Sequence, residues 1–142
     1  MMTVESETEI DADPEAVWDV LTTVDAYEEW NPLVTSVEGS MGADEQLRVT
    51  FDPPGGRSVT LRARVTVFEP EGRIVWIGRY FVPNLLDTRH EFVVEPAPDG
   101  VRFLQRGTFA GVLVGILLRA EAVREGFEAS NGALKRRAEG RQ

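Results

Sequence analysis

Between Leu113 and Ala138 the chain contains no proline, and apolar or small side chains recur at Leu113, Ile116, Leu117, Ala120, Val123, Phe127, Ser130 and Leu134. Steps of three and four residues draw one stripe along a helix. At 1.5 Å per residue the predicted helix is about 39 Å long. Arg119, Glu121, Arg124, Glu125 and Glu128 fall largely off the stripe, and Lys135, Arg136 and Arg137 suit the negative end of the helix dipole. A stripe of this length needs a broad apolar partner. The preceding chain is rich in strand-like segments, so the run predicts a curved sheet wrapped on one long helix.

The chain before it reads in order. Thr3 to Ile10 alternates, with Val4, Ser6, Thr8 and Ile10 on one side and Glu5, Glu7 and Glu9 on the other, as in a strand with one wet face. Asp13-Pro14-Glu15 has the chemistry of a helix start, and the short helix that follows buries Val17, Trp18, Val20 and Leu21. Asp25 opens a second short helix through Trp30, stopped at Asn31-Pro32 because the residue before proline is pushed out of helical angles.

Strands are then expected at 33–39, 46–51, 58–68, 73–82, 87–95 and 101–109, separated by turn signals such as Pro53-Pro54-Gly55-Gly56. In the best of them Val59, Leu61, Ala63, Val65 and Val67 alternate with polar side chains. Short turns between successive strands favour an antiparallel meander. With helices at both ends the class is α+β, a curved antiparallel sheet of about six to seven strands. Residues 1–142 are read as one domain.

Charge and composition exclude several functions. The formal net charge is -9, and the basic residues are fourteen arginines and the single Lys135, scattered along the sequence. Nucleic-acid binding, which needs concentrated positive charge, is not expected. With no cysteine, disulfides, thiolate metal sites and cysteine nucleophiles are excluded. One histidine and no suitably spaced carboxylates make a metal site unexpected. The acidic N-terminus lacks the pattern of a signal peptide, and the most apolar run, 109–118, is far below the roughly 20 residues of a membrane span. The expectation is a cytoplasmic protein without a cofactor, its oligomeric state open.

Several short sequences in this order resemble a known family. They are Ile10-Asp11-Ala12-Asp13-Pro14-Glu15-Ala16-Val17-Trp18, Trp30-Asn31-Pro32, Ile74-Val75-Trp76, His90-Glu91-Phe92, and an ending from Gly126-Phe127-Glu128 through Asn131 to Glu139. Together they resemble the START-like or SRPBCC superfamily, whose helix-grip fold occurs in lipid-transfer START domains and polyketide cyclases. The resemblance spans essentially the whole chain. It implies a cavity between the sheet and the long helix that holds an apolar or amphipathic small molecule. It implies no common chemistry, since members bind, transfer, cyclise or regulate.

Alternation places Ile74, Trp76, Gly78 and Tyr80, then Thr88, His90, Phe92 and Val94, then Phe103, Gln105, Gly107 and Phe109 on the concave face. A turn centred near 97–98 sets Phe92 opposite Phe103 and His90 opposite Gln105. The expected ligand contacts are Trp76, Tyr80, His90, Phe92, Phe103, Gln105, Phe109, Leu117 and Phe127. His90 is the one catalytic candidate, either a proton carrier paired with Gln105 or a buried histidine satisfied by a neighbour. Asn131 is expected to bond backbone beneath the sheet rim, and Asp87 to lie in a solvated loop. Leu85 and Leu86, read as exposed, and Val114 mark the cavity mouth. The leading functional expectation is binding of a small hydrophobic or amphipathic molecule, without catalysis. A polyketide cyclase or dehydratase using His90, and a partner-binding module using the mouth, are the alternatives.

Overall fold

The computed structural model describes residues 1–140. Seven antiparallel strands, β1 (Met2–Ile10), β2 (Val34–Glu38), β3 (Gln46–Phe51), β4 (Val59–Glu69), β5 (Arg73–Arg79), β6 (Asp87–Ala97) and β7 (Gly100–Ala110), form one sheet in the order β1-β7-β6-β5-β4-β3-β2. Strands β2 to β7 are a meander, and β1 returns to pair with β7 along its whole length. Between β1 and β2 lie α1 (Pro14–Thr22), a 3-10 turn (Val24–Ala26) and α2 (Tyr27–Trp30). After β7 come α3 (Val114–Leu117) and α4 (Ala120–Glu139). This is the α+β helix-grip architecture.

The sheet curls strongly. Phe51 on β3 and Phe109 on β7 are four strands apart, about 19 Å on a flat sheet at ~4.8 Å per strand. Their ring centroids are 5.7 Å apart. The inner face carries Val59, Leu61, Ala63, Val65, Ile74 and Trp76, all 5% exposed or less. Helix α4 closes it, lying chiefly along β1 and α1, with Val123, Phe127, Ser130 and Leu134 buried. The stripe read from the sequence is therefore the packing face, but only from Val123 onward.

The expected single helix is two. Leu118 (φ -123°, ψ 134°) and Arg119 (φ -114°, ψ 129°) are extended and separate α3 from α4. The kink turns Leu118 into the core, at 5% exposure, and leaves Ile116 outside at 76%. With 20 residues α4 is about 30 Å long rather than 39 Å.

Other expectations need smaller corrections. A bulge between Val65 and Val67 moves Val67 to the outer face beside Val75 and turns Phe68 inward opposite Ile74. Phe68 there meets Trp18 of α1, ring centroids 5.5 Å apart. Trp18 is half-buried, while Val17, Val20 and Leu21 are fully buried as read. Asp13 takes the extended N-cap conformation before Pro14, but Asp25 lies inside the 3-10 turn, whose N-cap is Thr23. Strand β5 ends at Arg79, three residues early, because Phe81 adopts φ 61° and breaks the extended path.

The bend at Asn31 is held by its side chain. Oδ1 of Asn31 accepts hydrogen bonds from the backbone N–H groups of Leu33 and Val34, both at 3.0 Å, and from Oγ of Ser130 at 3.1 Å. One amide thus stops α2, starts β2 and ties both to α4.

Candidate functional site

Strand alternation brings the polar candidates together on the concave face. His90 on β6 and Gln105 on β7 are 5% and 1% exposed. The register is two residues from that expected. His90 is opposite Gly107, Phe92 is opposite Gln105 and Val94 is opposite Phe103. The hairpin pairs Ala97 with Gly100, so its loop is Pro98-Asp99. A shift of two keeps every side chain on its face. His90 and Gln105 are diagonal neighbours, and the bond between them still forms.

Nε2 of His90 lies 2.7 Å from Oε1 of Gln105, and Nε2 of Gln105 donates to Oδ1 of Asn131 on α4, also at 2.7 Å. With Oε1 accepting, the imidazole carries its proton on Nε2. Asn131 therefore bonds a side chain across the interior and not the backbone at the rim. Its Nδ2 is buried without a partner among the described residues, as is Oγ1 of Thr88 on the same inner face. Buried polar atoms without partners are rare, because each loses its water for nothing in return.

Aromatic rings enclose this row. His90 stacks with Phe92 at 4.4 Å and with Phe127 at 5.4 Å, and Trp76 lies 5.1 Å from both His90 and Phe92. Phe103 continues the stack, 6.1 Å from Phe92. Burial disfavours the imidazolium and pushes the His90 pKa down to about 4, against a smaller upward pull from the bond to Gln105. His90 is neutral at pH 7. Room for the rings comes from Gly107, where a Cβ would stand 2.7 Å from Cζ of Phe127 and 2.9 Å from Phe109.

Of the expected ligand contacts, Trp76, His90, Phe92, Phe103, Gln105, Phe109 and Phe127 are buried in this interior, and Tyr80 and Leu117 are half-buried at its edge. The mouth differs. Leu86 is 2% exposed and belongs to the core, while Leu85 and Val114 are half-buried. The side chains standing out are Phe81 (77%), Val82, Val112 and Ile116. The backbone N–H groups of Val112 and Leu113 donate to the carbonyls of Asn84 and Leu85, joining the two loops. Beside them a hollow of about 560 Å³ opens between the Pro53–Arg57 turn and Ile116, Leu117, Arg119 and Ala122.

Asp87 is half-buried at the start of β6, where its carboxylate accepts from the backbone N–H of Asn84 at 3.1 Å. No group of three or more potential metal ligands occurs among the described residues. Among them, too, no helix is long and apolar enough to cross a membrane.

A curled sheet gripping one long helix around an aromatic interior with a polar row defines a helix-grip protein. The sequence matches the model of the polyketide cyclase / dehydrase and lipid transport family over residues 1–139, and the chain belongs to that family. Solved structures agree on the fold. A Thermus thermophilus protein superposes with a TM-score of 0.80 at 19% identity, covering 99% of each chain. A Helicobacter pylori hypothetical protein gives 0.80 at 18%, covering 96% of this chain and 88% of its own. The Streptomyces aromatase/cyclase Zhui gives 0.71 at 21%, covering 99% and 94%. No curated protein matches the sequence.

Proposed function

We propose that this chain binds a small hydrophobic or amphipathic molecule between the sheet and α4, with its polar end at the His90–Gln105–Asn131 row. The observation that carries this reading is the pair of buried, unpartnered atoms, Nδ2 of Asn131 and Oγ1 of Thr88, in an otherwise aromatic interior. A ligand carbonyl or hydroxyl is the group both atoms lack. Apolar burial would supply affinity at about 25 cal/mol per Å², and the polar row orientation. The hollow beside Ile116 and the Pro53–Arg57 turn is the route in.

The test is native mass spectrometry of the purified protein, with release and identification of any bound molecule. A bound or readily loaded small molecule, lost in Asn131→Leu, is the expected result. A protein that arrives empty and takes up nothing from a panel of fatty acids and aromatic ketones would sink the reading.

Cyclase or dehydratase chemistry in the same interior is the second reading, favoured by the family description and by the likeness to an aromatase/cyclase. A neutral His90 could take a proton from a substrate but, at pH 7, would not start as the acid.

A further inference from the structure

The arginines scattered in the sequence meet on the outer face of the sheet. Register places Arg48 of β3 opposite Arg62 of β4, and Arg62 opposite Arg79 of β5. Three like charges thus stand side by side across about 10 Å, at ~4.8 Å per strand. Like charges directly opposite one another destabilise a sheet. One end of the row is compensated, Asp87 lying 3.4 Å from Arg79, while at the other Glu38 faces Arg48 in register across β2 and β3 without a close ion pair. Arg62, in the middle, has an arginine on each side and, among the described residues, no ion pair.

The row borders two open hollows of about 570 and 880 Å³ that share Gln46, Arg62, Ala63, Arg79 and Phe81. Phe81 stands between them, 77% exposed, its ring 4.4 Å from that of Tyr80. Its φ of 61° is rare for a bulky side chain, and backbone strain of this kind gathers at functional surfaces. An uncompensated guanidinium beside a free aromatic face, in a chain of net charge -9, has a definite complement.

We propose that the outer face of β3–β5 binds a small molecule with an anionic head, phosphate-like in shape, and a flat apolar body. The head would bridge Arg62 and its neighbours through paired N–H donors, and the body would lie on Phe81. This site is on the opposite side of the sheet from the interior proposed above and does not depend on it.

The test uses 1-naphthyl phosphate and inorganic phosphate at millimolar concentration and constant ionic strength, followed through the arginine Nε–Hε signals in nitrogen-15 NMR spectra. The naphthyl ester should shift Arg48, Arg62 and Arg79 saturably and leave Arg73 and Arg106, already paired with Glu91, in place. Arg62→Gln should weaken it about tenfold and Phe81→Ala several-fold, the latter without effect on inorganic phosphate. Both residues are exposed, and Arg48→Gln serves as a further variant should either fail to fold. Shifts spread over all surface arginines, or affinity unchanged in Arg62→Gln, would overturn the proposal. So would sedimentation with phosphatidylglycerol vesicles in a protein that ignores the naphthyl ester, which would assign the surface to lipid.

Discussion

His90 and Gln105 are joined by a 2.7 Å hydrogen bond across a diagonal of the β6–β7 pair, each facing a different residue in register. The bond links strand to strand, and Gln105 passes it on to α4 through Asn131. Gln105 is the middle of the row and bonds on both sides. Gln105→Met keeps most of the volume and leaves both neighbours unpaired, so a loss of about 2–4 kcal/mol is expected in urea unfolding. Asn131→Leu removes one orphan atom while making another of Gln105 Nε2, and should cost less. Equal losses in the two variants would mean that the row is not a chain centred on Gln105.

His90 makes folding depend on pH. Its pKa is about 4 when folded and about 6.5 unfolded, so below pH 6.5 the unfolded chain takes up a proton that the folded one refuses. The stability His90 permits is complete above pH 6.5 and is lost as the pH falls towards 4, by about 3 kcal/mol. In His90→Gln that part of the decline should vanish. Parallel stability curves for the two proteins between pH 7 and 4 would contradict a buried neutral imidazole.

Glu91, on the outer face, has a side chain only 7% exposed and is bound by Arg73 at 2.6 Å and Arg106 at 3.0 Å. Burial alone would raise its pKa, but the bond from Arg73 and the charges of Arg73, Arg89 and Arg106 more than offset this and hold it below the usual carboxylate value. Glu91→Gln should cost about 2 kcal/mol at pH 7. A lowered carboxyl pKa stabilises above the unfolded value, and the benefit disappears as the pH falls through the folded one. The gap between variant and wild type should therefore close in acid, which chemical denaturation at pH 7 and pH 3 would measure.

Gly107→Ala sets a methyl group 2.7 Å from Phe127 and 2.9 Å from Phe109. A destabilisation of about 1–3 kcal/mol is expected, with altered near-ultraviolet circular dichroism as the rings shift. An unchanged melting curve would mean that the interior is looser than the ring distances imply.

These residues also mark what could be read in advance. Alternation in β4, β6 and β7 put His90, Gln105 and Phe103 on the inner face, and a register error of two residues left that unchanged because side chains repeat every two. The break at Leu118 has no proline, and Gly115 before it does not mark its position. Burial of Leu118 decides it, and burial is a property of the whole fold. The Val65–Val67 bulge was hidden for the same reason. Leu86 looked like a loop leucine beside Pro83-Asn84, yet it fills the core while Phe81 stands outside. Arg48, Arg62 and Arg79 are far apart in sequence, so only strand pairing could reveal their row.

The two extended residues between α3 and α4 divide the C-terminal region into unequal parts. Helix α4 shares the fate of the sheet it grips, whereas α3 is one turn long, buries none of its residues and follows Val112 and Leu113, which are bonded to the Asn84–Leu85 loop. Opening it costs far less than unfolding the domain. Hydrogen exchange should find Leu117 and Leu118 amides released in a local event while those of Phe127 and Leu134 wait for global unfolding. If the interior takes the small molecule proposed above, that hinge admits it with the rest of the grip intact.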